Sequence, residues 1–306
     1  MNAPTRAARR LGVAACATLL VLAAAACGSS GTGSGKTSAT ATPNTSVDPS
    51  LKAMVPADVA ADGKIVVGSD ATYAPNEFMD TDGKTVIGMD VEVFTAVAAK
   101  LGLTAQFTNA PFDSIITGVA SGKYEVGVSS FTITSDREKQ ANMISYFNAP
   151  TQWATKKGNP AAVDINAPCG KKIAVQKATV QVNDIQTRSA ACKKAGKPEV
   201  TIDQYQGQDE ATASVVSGKD EAMLADLPIS AYAVQKTGGS LEILGDPYGD
   251  GPYGFVTAKK ATQLADALAA ATKAIIDDGS YAAIMKKWGD EKGAITSDKV
   301  KVNPAE

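Results

Sequence analysis

The segment Ser121-Gly-Lys-Tyr-Glu125-Val-Gly-Val-Ser-Ser130 returns 96 residues later as Ser217-Gly-Lys-Asp-Glu221-Ala-Met-Leu-Ala-Asp226. Each copy reads as a helix end, a glycine turn and a buried strand that finishes in polar residues. In open α/β sheets ligands sit beyond the carboxyl ends of the strands. Two similar lobes facing each other therefore bring Ser129, Ser130 and Asp226 to one cleft. The alternative is chance similarity between two common βα units.

The rest of the chain is patterned the same way. Lys64–Gly68 reads as a buried strand, and Asp82-Gly83 lies between Glu77–Met79 and Val86–Ile87 as a hairpin signal. Asp80 and Asp82 faintly suggest a calcium loop, but Gly83 and Lys84 break its spacing, so a turn accounts for them better. The spacing of Phe94, Val97, Ala98 and Leu101 predicts a helix from Asp90, stopped by Gly102. A second helix is predicted from Asp113 to Gly122, a strand over Val126–Ser130 and a further helix start at Ser135-Asp136. Alternation continues to Lys236, which predicts an α/β architecture with largely parallel sheets. The body, roughly residues 60–295, holds about 235 residues, enough for two modest lobes.

The amino terminus carries Arg6, Arg9 and Arg10, then an apolar run from Leu11 to Ala26. A basic region followed by a short apolar run and small residues predicts a signal peptide over residues 1–26, since a membrane span needs roughly 20 apolar residues. Ala24-Ala25-Ala26-Cys27-Gly28 resembles the lipobox of bacterial lipoproteins, in which the cysteine is lipidated, with Ala24 where Leu is usual. Lipidation of Cys27 and cleavage at the small-residue site alone are both open readings. Residues 27–59 are expected to form a flexible tether, because the Gly, Ser, Thr, Ala and Pro of its first part offer little to bury. A coil of about 30 residues reaches on the order of 30 Å. Gly33-Ser34-Gly35-Lys36-Thr37 imitates a phosphate-binding loop, but Ser30 stands where that motif needs glycine, and neither the strand nor the helix is predicted around it.

Composition excludes several function classes. Without the three leader arginines, 27 basic residues face 32 acidic ones, a net charge of −5, so nothing suggests a nucleic-acid surface. The chain has no histidine, which removes a histidine base, a Ser-His-Asp triad and histidine-bound metal. No cofactor is expected. Of four cysteines, Cys16 leaves with the leader and Cys27 is the candidate anchor, leaving Cys169 and Cys192. In an exported chain a disulfide between them is the natural reading, with two unpaired thiols as the alternative.

Five landmarks in order resemble the family 3 extracellular solute-binding proteins of ABC importers, the polar amino acid group. They are Ser69-Asp70-Ala71-Thr72-Tyr73-Ala74-Pro75, Gly88-Met89-Asp90-Val91-Glu92-Val93, Ser129-Ser-Phe-Thr-Ile-Thr-Ser-Asp-Arg137, Ile173-Ala-Val-Gln-Lys-Ala-Thr179, and Asp277-Asp-Gly-Ser with Lys286-Lys287-Trp288-Gly289. The resemblance spans about residues 62–290. It implies a two-lobed, periplasmic-binding-protein-like α/β fold of type II, with lobes joined by two crossing strands near Thr151–Lys156 and Tyr253–Ala258. Lobe 1 is then residues 60–153 and 254–295, lobe 2 residues 154–253, and 296–306 a tail.

A zwitterionic amino acid needs a cation for its carboxylate, an anion for its ammonium and an apolar wall for its side chain. Arg137 offers a bidentate fork for the carboxylate, with hydroxyls of Ser129, Ser130 and Thr132 beside it. A solvated helix residue is the bland alternative for Arg137. Asp226 ends an apolar run, an expensive place for a carboxylate unless a cation meets it, although it also suits a helix N-cap. Tyr73 and Phe112 are expected to clamp the side chain, or else to be ordinary core. The resemblance brings Gln176 and Thr179 into the site from lobe 2. The family's usual Gly-Thr is Ala178-Thr179 here, which questions a close backbone approach.

Asp70 resembles the position that reads the distal end of basic or amide side chains, with Glu77 expected near it, so a basic or amide ligand is favoured. The expected function is capture of a polar amino acid and delivery by hinge closure to an importer's permease, from a monomer held outside the membrane by its lipid. Two other classes compete. The fold also hosts enzymes such as cyclohexadienyl or arogenate dehydratase, which need a cleft acid such as Asp70 or Glu77. A ligand-sensing module would use the same site without transport.

Overall fold

The computed structural model describes residues 46–249 and 251–305. The predicted signal peptide and Cys27 lie outside the described residues. Among the described residues no helix is long and apolar enough to cross a membrane.

In chain order two one-turn helices, α1 (Pro49–Lys52) and α2 (Ala57–Ala60), precede strand β1 (Lys64–Ser69). A small antiparallel sheet of β2 (Thr72–Tyr73), β3 (Glu77–Met79) and β4 (Val86–Ile87) follows. Then come α3 (Met89–Lys100), β5 (Thr104–Asn109), α4 (Phe112–Ala120), β6 (Val126–Gly127), α5 (Ser135–Glu138), β7 (Ala141–Asn148) and β8 (Thr151–Lys156). The middle of the chain supplies β9 (Lys172–Gln176), α6 (Val180–Lys194), β10 (Thr201–Tyr205), α7 (Gln208–Ser217), β11 (Ala222–Asp226), α8 (Leu227–Lys236) and β12 (Leu241–Tyr248). The end supplies β13 (Pro252–Ala258), α9 (Thr262–Asp277) and α10 (Ser280–Trp288).

These strands form two five-stranded sheets, ordered β5-β1-β6-β13-β7 and β10-β9-β11-β8-β12. Each has three parallel strands from βα units and two more joined by antiparallel pairings, in which only β13 of one sheet and β8 of the other run reversed, so the sheets are more mixed than the alternation of elements predicted. The antiparallel strands flank the crossings. The chain leaves the first sheet after β7, enters the second as β8, and returns from β12 to β13. The passages fall between Asn148 and Thr151 and between Tyr248 and Pro252, a few residues ahead of the expected lobe boundaries. The reason is pairing: β8 lies against β11 along its length from Thr151, and β13 against β7 from Pro252.

Each lobe has its own core. Met89, Val93, Phe94 and Val97 of α3 meet Leu264, Leu268 and Ile275 of α9 across the first sheet, with Phe94 edge-on to Phe255 at 5.1 Å. In the second lobe Trp153, Ile173, Val175, Ile185 and Leu224 are buried together. Cys169 and Cys192 form a disulfide there, joining the entry loop of β9 to α6.

The end of the expected tether and the expected tail are both partly built into lobe 1. The tether was expected to run to residue 59, but Asp48 caps α1, its N–H bonds to Lys100 O, and Val55 is buried beside Leu51, Met54 and Val59. At the other end Val300 is buried, and residues 301–303 bond along the free edge of β7 through Ser145 and Met143. A covered edge strand cannot pair with another chain.

Candidate ligand-binding site

A cavity lies between the two sheets at the carboxyl ends of β1, β6, β9 and β11. The structure brings all ten predicted ligand-contacting residues to its wall, and adds Val180 and Gln181. The first lobe contributes Asp70, Tyr73, Phe112, Arg137 and the loop of Ser129, Ser130 and Thr132; the second contributes Gln176, Thr179 and Asp226.

Asp226 is the buried anion. It occupies the N-cap position of α8, yet its carboxylate makes no capping bond. It turns into the cavity instead, where Oδ2 accepts from Tyr73 at 2.9 Å and Tyr253 at 2.7 Å, and Oδ1 accepts from Gln181 at 2.8 Å. Burial pushes its carboxyl up to about 6, while these three donors and Arg137 pull the other way. It is therefore largely ionised at neutral pH.

Arg137 is the half-buried cation. Its Nη1 donates to Thr132 O at 2.7 Å and Nη2 to Ala178 O of the other lobe at 2.9 Å. The guanidinium lies 5.4 Å from the Phe112 ring and 5.6 Å from Phe131, and the two rings stack at 4.6 Å. Burial lowers Arg137 to about 10, so it stays charged at neutral pH. Its helix α5 is a single turn, too short to add much field of its own. Ala178 adopts a left-handed backbone at φ +60, at a cost of roughly 1–2 kcal/mol, and points its carbonyl at Arg137.

The far end of the cavity is acidic. Asp70 Oδ2 accepts from the Phe112 N–H at 2.9 Å and from Gln176 Nε2 at 3.0 Å, and Oδ1 from Thr72. Burial raises its carboxyl, and Asp209 across the cleft adds to the rise. Glu77, expected beside Asp70, is not on the cavity wall. It lies behind it, accepting from Ser129 Oγ at 3.0 Å, because β3 runs beneath the Ser129–Ser130 loop. Thr179 donates its hydroxyl to Gln176 O at 2.8 Å, holding the turn into α6. Tyr73 and Phe112 both line the cavity, but the Tyr73 hydroxyl is committed to Asp226. Gln181 and Tyr253 carried no signal in the sequence, since each looks like an ordinary element residue until the partner of Asp226 is known. Among the described residues no group of acids and cysteines is arranged to hold a metal.

Two α/β lobes, two crossings and a polar cavity closed by both lobes define a hinged, two-lobed binding protein. The chain belongs to the bacterial extracellular solute-binding proteins, family 3, whose family model matches residues 65–291. That membership places it outside the cytoplasm. It is 34% identical over 257 residues to the arginine-binding protein ArgT of Corynebacterium glutamicum, covering 84% of each chain. It is 27% identical to the L-arginine-binding protein of Pseudomonas aeruginosa, over 75% of this chain and 89% of that one. Among solved structures it is similar to an ancestral arginine-binding protein bound to arginine, with TM-score 0.68 and 31% identity over 74% of this chain and 98% of the other. It is also similar to an ancestral amino acid-binding protein that is a precursor of cyclohexadienyl dehydratase, with TM-score 0.64 and 29% identity over 76% and 97% of the two chains.

Proposed function

We propose that the chain captures a cationic amino acid, arginine first among them, and delivers it to an ABC importer when its lobes close. One observation carries this reading: a half-buried arginine from one lobe and a buried aspartate from the other line the same cavity, with a second acid at its far end. The ligand's carboxylate meets the Arg137 fork and the hydroxyl of Thr132, with Thr179 on the opposite wall. Its ammonium meets Asp226. Its side chain passes Tyr73 and Phe112 and ends its charge against Asp70 and Gln176, which Ser129 supports through the Asp70 N–H at 3.0 Å. The names of the relatives described above support arginine.

Closure follows from the same contacts. A ligand shifts an open–closed equilibrium only through a difference in affinity between the two states. Arg137 and Asp226 belong to different lobes, so the closed state alone offers both charges to one ligand. The hinge lies at the passages near 149–150 and 249–251, with a continuous lobe 2 between them. Cys27 anchors the chain by lipid beyond a tether, the protein acts as a monomer, and ATP is hydrolysed by its partner.

Titration calorimetry of the full chain against all amino acids plus ornithine tests the reading. Saturable binding of arginine and lysine, lost in Arg137→Ala, is the expected result; no binding across the panel refutes it. One observation favours an enzymatic second reading, the likeness to the precursor of a dehydratase. Product from prephenate or arogenate would establish that reading in place of the first.

A further inference from the structure

Behind the cavity wall lies a second, wholly enclosed group that the ligand contacts do not use. Glu77 of β3 and Asp90 of α3 are both fully buried and lie against the same Ser130 Oγ, Glu77 Oε2 at 3.3 Å from it and Asp90 Oδ2 at 3.1 Å. Neither carboxyl has an ion-pair partner among the described residues. Among the described residues the titratable groups that act on them include Asp70 at the end of β1, Tyr73 of β2, Tyr146 of β7, Tyr253 of β13, Tyr281 of α10 and Asp290 beyond it, all of them acids. Two carboxylates in contact, buried and without a cation, cannot both ionise.

The hydrogen bonds say where the proton sits. Asp90 Oδ2 accepts from Ser130 N at 2.8 Å, Ser130 Oγ at 3.1 Å and Tyr146 OH at 2.5 Å, an array that suits an anion. Glu77 accepts from Ser129 Oγ at 3.0 Å and only lies near Ser130 Oγ at 3.3 Å, whose one proton goes to Asp90, which leaves the Glu77 proton for Asp90. The same bonds hold the cavity wall. Ser130 takes a left-handed backbone at φ +47, with its N–H turned to Asp90 and its hydroxyl accepting from Asn76 at 2.9 Å. The Ser129 hydroxyl, while donating to Glu77, accepts the N–H of Asp70 at 3.0 Å. One pair of acids therefore fixes a wall residue at each end of the cavity.

We propose that a single proton held between Glu77 and Asp90 positions the Ser129–Ser130 wall, so that ligand capture requires this proton and fails when both acids ionise. The proposal rests on the amino acid reading of the cavity. Repulsion in the doubly charged pair drives Glu77 from Asp90 and releases both serines. Burial holds both acids above their ordinary range, Glu77 the further, with Asp90 its second cause. Such a contribution is complete at low pH and is lost as pH rises through the folded-state value of the pair.

The test is calorimetry with L-arginine on the full chain, wild type beside Glu77→Gln and Glu77→Ala, from about pH 6 to pH 9.5. Titration of the ligand ammonium and of Arg137 is common to all three and cancels in ratios of dissociation constants. Gln keeps a neutral donor toward Asp90, so at neutral pH it binds within a few-fold of wild type, whereas Ala binds at least roughly tenfold more weakly. Toward high pH the wild type weakens relative to Glu77→Gln, by roughly tenfold for each pH unit above the value of the pair. A flat ratio over the whole range, or full affinity in Glu77→Ala, overturns the proposal. A carbon-13 NMR titration of the Glu77 carboxyl in the wild type needs no variant: a protonated carboxyl at neutral pH supports it and an ionised one refutes it. If the wild type binds no amino acid at any pH, the cavity reading itself fails, and the capture step with it.

Discussion

Asp226→Asn separates the cost of the binding site from its use. Asp226 is 4% exposed, and burial raises its carboxyl from 3.8 to about 6. A rise of that size corresponds to about 3 kcal/mol, the amount by which burying the ionised form works against folding. The sign follows from a raised value: this stability is fully present below about pH 3.8 and is lost as pH rises toward 6. Asparagine never ionises and does not lose it. Its amide keeps an acceptor, and the Tyr73 and Tyr253 hydroxyls can rotate to accept from its Nδ2, at some cost in geometry. The ligand-free variant is therefore expected to match wild type near pH 4 and exceed it by about 2 kcal/mol at pH 8, in urea unfolding of both proteins. Other groups titrate alike in both and cancel in the difference. In the same variant, cationic ligands lose roughly two orders of magnitude in affinity, because the ammonium faces no anion. A variant less stable than wild type at pH 8, or a difference that does not change between pH 4 and 8, would refute the argument.

Three further outcomes follow from the geometry. Arg137→Lys replaces a fork with one ammonium, so arginine binding by calorimetry should weaken by about 2 kcal/mol, roughly 30-fold, and an unchanged affinity would remove Arg137 as the carboxylate contact. Replacing Cys169 and Cys192 together by alanine opens a loop with a sequence separation of 23, which the chain-entropy relation makes worth about 3 kcal/mol in denaturant unfolding. Gly88→Ala places a Cβ 2.1 Å from Asn76 O at φ +142, a backbone conformation reserved for glycine; thermal unfolding should show a loss beyond about 3 kcal/mol.

Much of the lobe architecture was legible because it rests on local signals. Gly122 and Gly218, the turns of the duplicated segment, both take left-handed conformations, at φ +81 and +83, and both following segments end on the cavity. Helix α3 was legible from its apolar stripe, and the hairpin from Asp82-Gly83, where Gly83 lies at φ +65. What escaped depends on long-range partners. The strand predicted over Val126–Ser130 stops at Gly127, because Ser130 is bent by Asp90, forty residues away in sequence. Residues 48–59 fell within the expected tether, but a few apolar side chains suffice to dock them on lobe 1. Glu77 was expected at the distal end of the site because sequence gives proximity along the chain, not the face a strand presents. Gln181 and Tyr253 could not be read at all, since their meaning lies in the carboxylate they share.

The strand order of the first sheet has a consequence for how the chain matures. Strand β13 is inserted between β6 and β7, although all of lobe 2 separates it from them in sequence. During synthesis from the amino terminus, residues 151–248 can complete their sheet as one continuous piece. Lobe 1 at that stage still holds two unpaired strand edges and an apolar face awaiting α9. Its assembly must wait for the last 55 residues, so the part of the molecule made first is the part finished last. Until then those edges are the exposed, association-prone surface of the nascent protein.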